Sequence, residues 1–234
     1  MTGTAGALAR VVAGAVVAVG AAGCTMWTTA SEGPTVMRYV ALGDSYTIGT
    51  AIAPEDRWPD QLVAALGPGS PTVEVVANLG VNGYTSADLI RDELSALADL
   101  DPDVVTVLIG VNDVVQGVPT AVYEANVATI LDTLLARLPP ERIVTVAIPD
   151  YTVTPSGSDY GDPTMQHDAI VSNNSIMERL STERGIAFVD IFDISLAAAW
   201  DRSLVADDGL HPSGVQYGRW VEQIRPVVEA LLAP

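Results

Sequence analysis

The chain has 234 residues, 49% of them apolar, with 29 acidic residues against 11 basic ones, and a formal net charge of -18. That length gives room for one sizeable core, and this balance of apolar and charged residues describes a globular chain rather than a disordered one. Every basic residue is an arginine. The excess of acids excludes nucleic acid and an anionic membrane surface as partners, because neither is drawn to a negative protein.

The N-terminal stretch reads as a targeting segment. Val11 to Ala22 is an apolar, Gly/Ala-rich run behind a single Arg10. It is short for a membrane span and fits the apolar region of a secretory signal. It closes on Ala21-Ala22-Gly23-Cys24, small residues directly before the chain's one cysteine. A lone cysteine leaves no intrachain disulfide. Thr25 to Thr35 is small, polar and Pro/Gly-bearing, as a tether is. The organisation expected is a signal over 1–23, a tether over 24–36 and one domain over 37–234. Ordinary cleavage after Ala22 is the rival reading.

From there the chain alternates strands and helices. Tyr39 to Leu42 is a short apolar run, read as a buried strand that stops at Gly43-Asp44-Ser45. Trp58 to Leu66 is an amphipathic helix ended by Gly67-Pro68-Gly69. Val73 to Ala77 is a strand, and Thr85 to Leu97 a helix capped by Thr85 or Ser86. Val104 to Ile109 and Ile143 to Ile148 are almost wholly apolar, as strands covered on both faces are. Thr120 to Leu138 is a helix stopped by Pro139-Pro140. Asp150 to Pro163 is a long Gly/Ser/Asp/Pro loop, a rim or lid. Helix Thr164 to Arg184, strand Ile186 to Ile191 and helix Pro212 to Gln223 complete the chain, with Pro226 a kink or a new turn. Five strands separated by helices imply a parallel sheet with both faces covered.

The chemistry lies in the loops that follow the strands. Ser45 stands where the first strand ends, the edge at which open α/β sheets gather their functional groups. A serine hydroxyl needs a base to become a nucleophile. Of the two histidines, His211 lies on the loop before the last helix, and Asp208, three residues earlier, can accept from its ring and fix the tautomer. His167 sits in a helical stretch beside Asp168 and reads as surface or loop-facing. Asp207 is the alternative orienting acid. Attack on an ester carbonyl builds charge on oxygen that aimed donors stabilise. The Ser45 N–H, the Asn112 side-chain amide and a glycine N–H from the second loop suit that role. Gly80 and Gly83 both qualify by chemistry, and Gly83 is nearer the helix start. Asp44 and Asp113 read as turn-fixing residues.

Gly43-Asp44-Ser45, Gly83, Gly110-Val111-Asn112-Asp113 and Asp208-Gly209-Leu210-His211 together resemble, in order, the blocks of the SGNH (GDSL-type) hydrolase family. The resemblance implies a three-layer α/β/α sandwich of flavodoxin-like form, with a five-stranded parallel sheet of order 2-1-3-4-5. It implies Ser45 as nucleophile, His211 as base, Asp208 as its orienting acid, and Ser45, Gly83 and Asn112 as oxyanion donors. Neither metal nor organic cofactor is implied. The expected activity is hydrolysis of small or short-chain acyl esters, carbohydrate O-acetyl esters included, through an acyl-enzyme. An acyltransferase on the same residues and a non-catalytic binding lipoprotein are the alternatives. The N-terminus resembles a bacterial lipoprotein signal, in which Cys24 becomes the lipidated first residue. The protein is then expected to be a monomer, extracytoplasmic, with a small-molecule or glycan ester as its partner and membrane contact only through that lipid.

Overall fold

The computed structural model describes residue 3, residues 36–67 and residues 71–233. The chain divides into two compact units, Met1–Gly33 and Pro34–Pro234. The expected signal, Cys24 and the tether through residue 35 lie outside the described residues, whereas Val36, assigned to the tether, is already the first residue of a strand.

The second unit is built on five parallel strands in the order β2-β1-β3-β4-β5, as expected. They are β1 (Val36–Gly43), β2 (Thr72–Asn78), β3 (Val104–Leu108), β4 (Ile143–Val146) and β5 (Ala187–Val189). Side chains alternate across the sheet, so each strand feeds two cores. Tyr39, Ala41, Val104, Leu108 and Val146 face one core, against helices α2 (Trp58–Leu66) and α9 (Gly214–Leu232). There Trp58, Leu62, Trp220 and Ile224 are buried, and Tyr217 meets Trp220 edge-on with ring centroids 4.8 Å apart. Val40, Leu42, Val105, Val107 and Ile143 face the other core. It is closed by α6 (Thr120–Leu135), α7 (Pro163–Glu183) and the helical stretch that follows Ser86. Three layers result because both sheet faces are apolar and both must be covered.

Several elements differ from expectation: β1 starts at Val36 rather than Tyr39, β4 ends at Val146 rather than Ile148, β5 covers only Ala187–Val189, and α6 ends at Leu135 rather than Leu138. The helix read over Thr85 to Leu97 begins at Ser86, capped by Thr85, and reaches Leu100. It comprises α3 (Ser86–Asp88), a π-helical turn (Leu89–Glu93) and α4 (Leu94–Leu100). The last helix starts at Gly214, capped by Ser213, and passes through Pro226 without ending. Pro226 donates no hydrogen bond to the preceding turn, but Ile224, Val228 and Leu232 are buried on either side of it and hold the helix to the core. The expected loop over 150–163 contains two 3₁₀ turns, Tyr151–Val153 and Gly157–Tyr160, the first capped by the Asp150 carboxylate.

The register sets the position of the site. Gly43 of β1 lies opposite Leu108 of β3, and Ala41 opposite Asn78 of β2, so three strand ends reach one edge together. The chain leaves β1 for β2 on one side and returns to β3 on the other, which opens a crevice at that edge. Gly43 is the tightest point there. Its φ is +152°, and a Cβ would fall 2.2 Å from the Leu108 carbonyl oxygen and 2.3 Å from Thr47 Oγ1. Gly43→Ala is therefore expected to lower unfolding free energy by about 2–4 kcal/mol, through overpacking and backbone strain. Urea denaturation of both proteins measures it, and an unchanged midpoint would contradict this account of the turn.

Candidate active site

Ser45 opens the one-turn helix α1 (Ser45–Ile48) directly after β1. Asp44 caps that turn, its Oδ1 accepting from Tyr46 N–H at 2.9 Å. Gly49 closes it in the left-handed region, its N–H donating to the Ser45 carbonyl at 3.1 Å. A four-residue helix so bracketed leaves Ser45 few alternatives for its backbone. Ser45 is 7% exposed and lines a cleft of about 210 Å³ with Tyr46, Gly83, Asn112, Tyr151 and His211.

His211 and Asp208 form a pair. His211 Nδ1 lies 2.6 Å from Asp208 Oδ2. The other oxygen, Oδ1, accepts from the backbone N–H groups of Leu210 and His211, at 2.9 and 3.0 Å. Burial alone would raise the Asp208 pKa, but these hydrogen bonds outweigh it and hold the carboxyl below its ordinary value. A charged Asp208 fixes the ring with Nδ1–H toward it, leaving Nε2 free to take a proton. Tyr46 packs against the imidazole, centroids 5.1 Å apart. Asp207, the alternative acid, is exposed, and Asp208 alone pairs with the ring. Among the described residues no hydrogen bond joins Ser45 Oγ to the imidazole, which lines the same cleft.

The other expected residues gather at the same cleft. Among the described residues the N–H groups of Ser45 and Gly83 have no acceptor. Gly80 N–H, by contrast, is taken up by Asn78 Oδ1 at 3.1 Å, which separates the two candidate glycines. Gly83 has φ +82° with open space where a Cβ would stand. Asn112 donates one amide hydrogen to the Tyr84 carbonyl at 3.0 Å and keeps its second. Asp113 is wholly buried and accepts from Ser86 N–H at 2.8 Å and Ser86 Oγ at 2.5 Å. Asn112 and Asp113, expected on a loop, lie on the short helix α5 (Val111–Val115), and Asp113 thus ties that helix to the start of α3, just beyond Gly83. Gly110, with φ +131°, has the Tyr123 ring against it, 2.8 Å from where a Cβ would be.

His167 faces the loop, as read from the sequence: it is partly exposed on α7 and pairs with Asp150, Nδ1 to Oδ2 at 2.6 Å, rather than with its neighbour Asp168. Asp150 is buried and also accepts from Thr152 N–H and Oγ1, so the pair fastens the start of the 150–163 segment to α7. Among the described residues no group of three His, Cys, Asp or Glu side chains could hold a metal ion.

Sequence reasoning missed Glu93. It lies on the π-helical turn, 2% exposed, and its Oε2 accepts the Gly43 N–H at 2.8 Å. Its Oε1 and Asp44 Oδ2 have no hydrogen-bond partner. Burial first, then repulsion from Asp44, push the Glu93 carboxyl up to about 9, while burial pushes Asp44 up to about 7. The signal was present: Glu93 falls at helical spacing between Leu89 and Leu97, on an otherwise apolar face.

Residues 41–219 match the family model for GDSL-like lipases and acylhydrolases. The chain belongs to that family. It is a carboxylic-ester hydrolase by that membership. No curated protein matches it. Solved structures share the fold at low identity. The lipase/acylhydrolase from Enterococcus faecalis is 20% identical with a TM-score of 0.68, over 85% of this chain and 98% of that one. Axe2, an acetylxylan esterase from Geobacillus stearothermophilus, is 19% identical at TM-score 0.63, over 85% and 94%. Esterase EstA from Pseudoalteromonas sp., inhibited by monoethylphosphonate, is 18% identical at TM-score 0.63, over 84% and 98%.

The buried acids give a pH prediction. Glu93 and Asp44 hold their protons in the folded protein above the pH at which an unfolded carboxyl releases them. Their contribution to stability is full below that range and is lost as pH rises toward about 9. Glu93→Gln keeps the shape and removes one titration. The urea midpoint of the variant should fall less than that of the parent between pH 5 and pH 9. Parallel pH profiles would show that Glu93 is ionised throughout.

Proposed function

We propose that the protein is a serine esterase for small or short-chain acyl esters, working through an acyl-enzyme on Ser45. Ser45 Oγ attacks the ester carbonyl carbon while its proton passes to His211 Nε2. Asp208 holds the ring and offsets the imidazolium charge. The carbonyl oxygen, now negative, takes hydrogen bonds from the N–H groups of Ser45 and Gly83 and from the free amide hydrogen of Asn112. Collapse of the intermediate breaks the bond to the alcohol oxygen, which leaves with the proton from His211. Water attacks the acyl-enzyme by the reverse route, releasing acid and restoring Ser45.

The observation that carries this reading is the Asp208–His211 pair sharing one cleft with Ser45, Gly83 and Asn112. The small size of that cleft supports a short acyl group, since drug-sized pockets run to about 300–1,000 Å³. Its walls of Val111, Val115, Tyr151 and Leu210 are apolar enough to take a methyl or short alkyl chain. The low-identity likeness to an acetylxylan esterase is consistent with an O-acetylated carbohydrate as one such substrate.

With a short-chain aryl ester, Ser45→Ala should lower kcat by about 10³-fold or more, and Asp208→Asn by about 10²–10⁴-fold. A larger loss from Asp207→Asn than from Asp208→Asn would reassign the acid. Adding an acceptor alcohol to the assay distinguishes water from an alcohol as the acyl acceptor. Product analysis that finds mainly the transferred ester would make the protein an acyltransferase.

We further infer, from Ala21-Ala22-Gly23-Cys24 alone, that the signal is cleaved before Cys24 and that the domain works outside the cytoplasm on a lipid tether. Intact mass of the membrane fraction should show a chain beginning at Cys24 and carrying lipid. An unmodified Cys24 would overturn it.

A further inference from the structure

A second, more open groove of about 450 Å³ adjoins the Ser45 cleft. Asn82 lines both, so the two border each other at that residue. The groove carries Thr50, whose hydroxyl donates to Asn82 Oδ1 at 2.6 Å, and, unlike the cleft, an arginine side chain, Arg57.

Arg91, Arg179, Arg184, Arg219 and Arg225 form ion pairs with carboxylates. Arg38, Arg137 and Arg202 are exposed, and Arg142 donates to Met37 Sδ. Arg57 is half-buried, yet its guanidinium has no hydrogen bond or ion pair among the described residues, and its Nε is buried without a partner. The acidic residues around it are Glu55, Asp56 and Asp60. Arg57 lowers the Asp60 pKa through space against the burial that raises it, but no carboxylate oxygen is within ion-pair distance. The side chain is nonetheless held in place. A Cβ on Gly49 would stand 2.4 Å from Arg57 Cγ, so the stem lies against the residue that closes α1. That anchors the guanidinium beside the one-turn helix that Ser45 begins. Ala51, also in the groove wall, holds φ +66°, a conformation that costs a non-glycine residue about 1–3 kcal/mol and persists only where its surroundings impose it.

A guanidinium presents a planar fork of donors matched to a carboxylate, and leaving one unpaired and partly desolvated is costly. The cleft walled by Val111, Val115 and Leu210 suits the acyl group, which leaves the groove that holds Arg57 for the alcohol that must depart. We propose that this groove is the alcohol subsite and that Arg57 binds a carboxylate on the alcohol portion of the substrate, as in an O-acylated hydroxy acid or uronic acid. This rests on the esterase reading of Ser45 and names the substrate class for it.

The test uses two acetyl esters, 3-acetoxybenzoate and its methyl ester, which differ in the charge. The purified protein should favour the anion in kcat/KM. Arg57→Gln should reduce the anion-to-methyl-ester ratio by about 10- to 100-fold, mainly through KM, as loss of charge-assisted hydrogen bonds does. Arg57→Lys should recover part of that ratio, and raising ionic strength should erode it in the parent alone. A ratio that Arg57→Gln leaves unchanged would overturn the subsite, even with both esters hydrolysed through Ser45. Hydrolysis of neither ester by the parent would overturn the esterase reading itself, a separate outcome.

Discussion

The turn at the end of β1 is the constraint on which the site depends. Three contacts fix it. Gly43 is wedged against the Leu108 carbonyl and Thr47, leaving no space for a side chain. Its N–H is held by Glu93. The next residue, Asp44, caps the turn by binding Tyr46 N–H. Together these determine where β1 stops and how Ser45 emerges. A side chain cannot be aimed more accurately than the backbone that carries it, so the accuracy of Ser45 is inherited from Gly43 and its neighbours.

That turn is supported by buried acids, which is a costly way to build. Asp44, Glu93 and Asp113 are each 2% exposed or less. Desolvation raises all three pKa values. An apolar group would be cheaper in each place. What an apolar group cannot do is accept a backbone N–H, and each of these acids accepts one: Tyr46, Gly43 and Ser86 respectively. The three carboxyls therefore stitch β1, α1, the π-helical turn and the short helix Val111–Val115 that bears Asn112 into one unit. The turn residues that catalysis would use are thereby specified at the expense of stability. The π-helical geometry at Leu89–Glu93 fits the same pattern, since such turns concentrate near functional sites.

Local chemistry was legible in the sequence, and long-range pairing was not. The strand runs and the Asp208–His211 spacing depend on residues a few positions apart, and they appear in the structure with shifted strand ends: β1 covers Val36–Gly43 where Tyr39 to Leu42 was read, and β5 only Ala187–Val189 of Ile186 to Ile191. Strand order came from the family resemblance and agrees with the sheet. Glu93 was invisible as a partner of Gly43 because the two are 50 positions apart and the link is a backbone N–H, which no residue name reveals. The His167–Asp150 pair was invisible for a related reason: the two are 17 positions apart, and only the fold brings them together. Helix α9 passes through Pro226 because burial of Ile224 and Val228 outweighs a local rule. In each case a tertiary contact prevailed over a local signal, and propensity alone carries no information about such contacts.

The acidity of the chain and the unpaired Arg57 are compatible once distance is considered. At physiological salt, exposed charges farther apart than about 8 Å are largely screened. A small anion seated in the groove would meet the Arg57 guanidinium directly and the rest of the surface only through solvent. A long polyanion would have no such protection, because its remaining charges would lie along a surface with few unpaired cations. On the reading proposed for Arg57, the charge distribution therefore selects for size as well as sign. It admits a single carboxylate next to the ester and disfavours a densely charged polymer. If the Ser45 cleft takes the acyl group as proposed, its modest volume of about 210 Å³ restricts that half as well, so both halves of the proposed substrate are small for separate physical reasons.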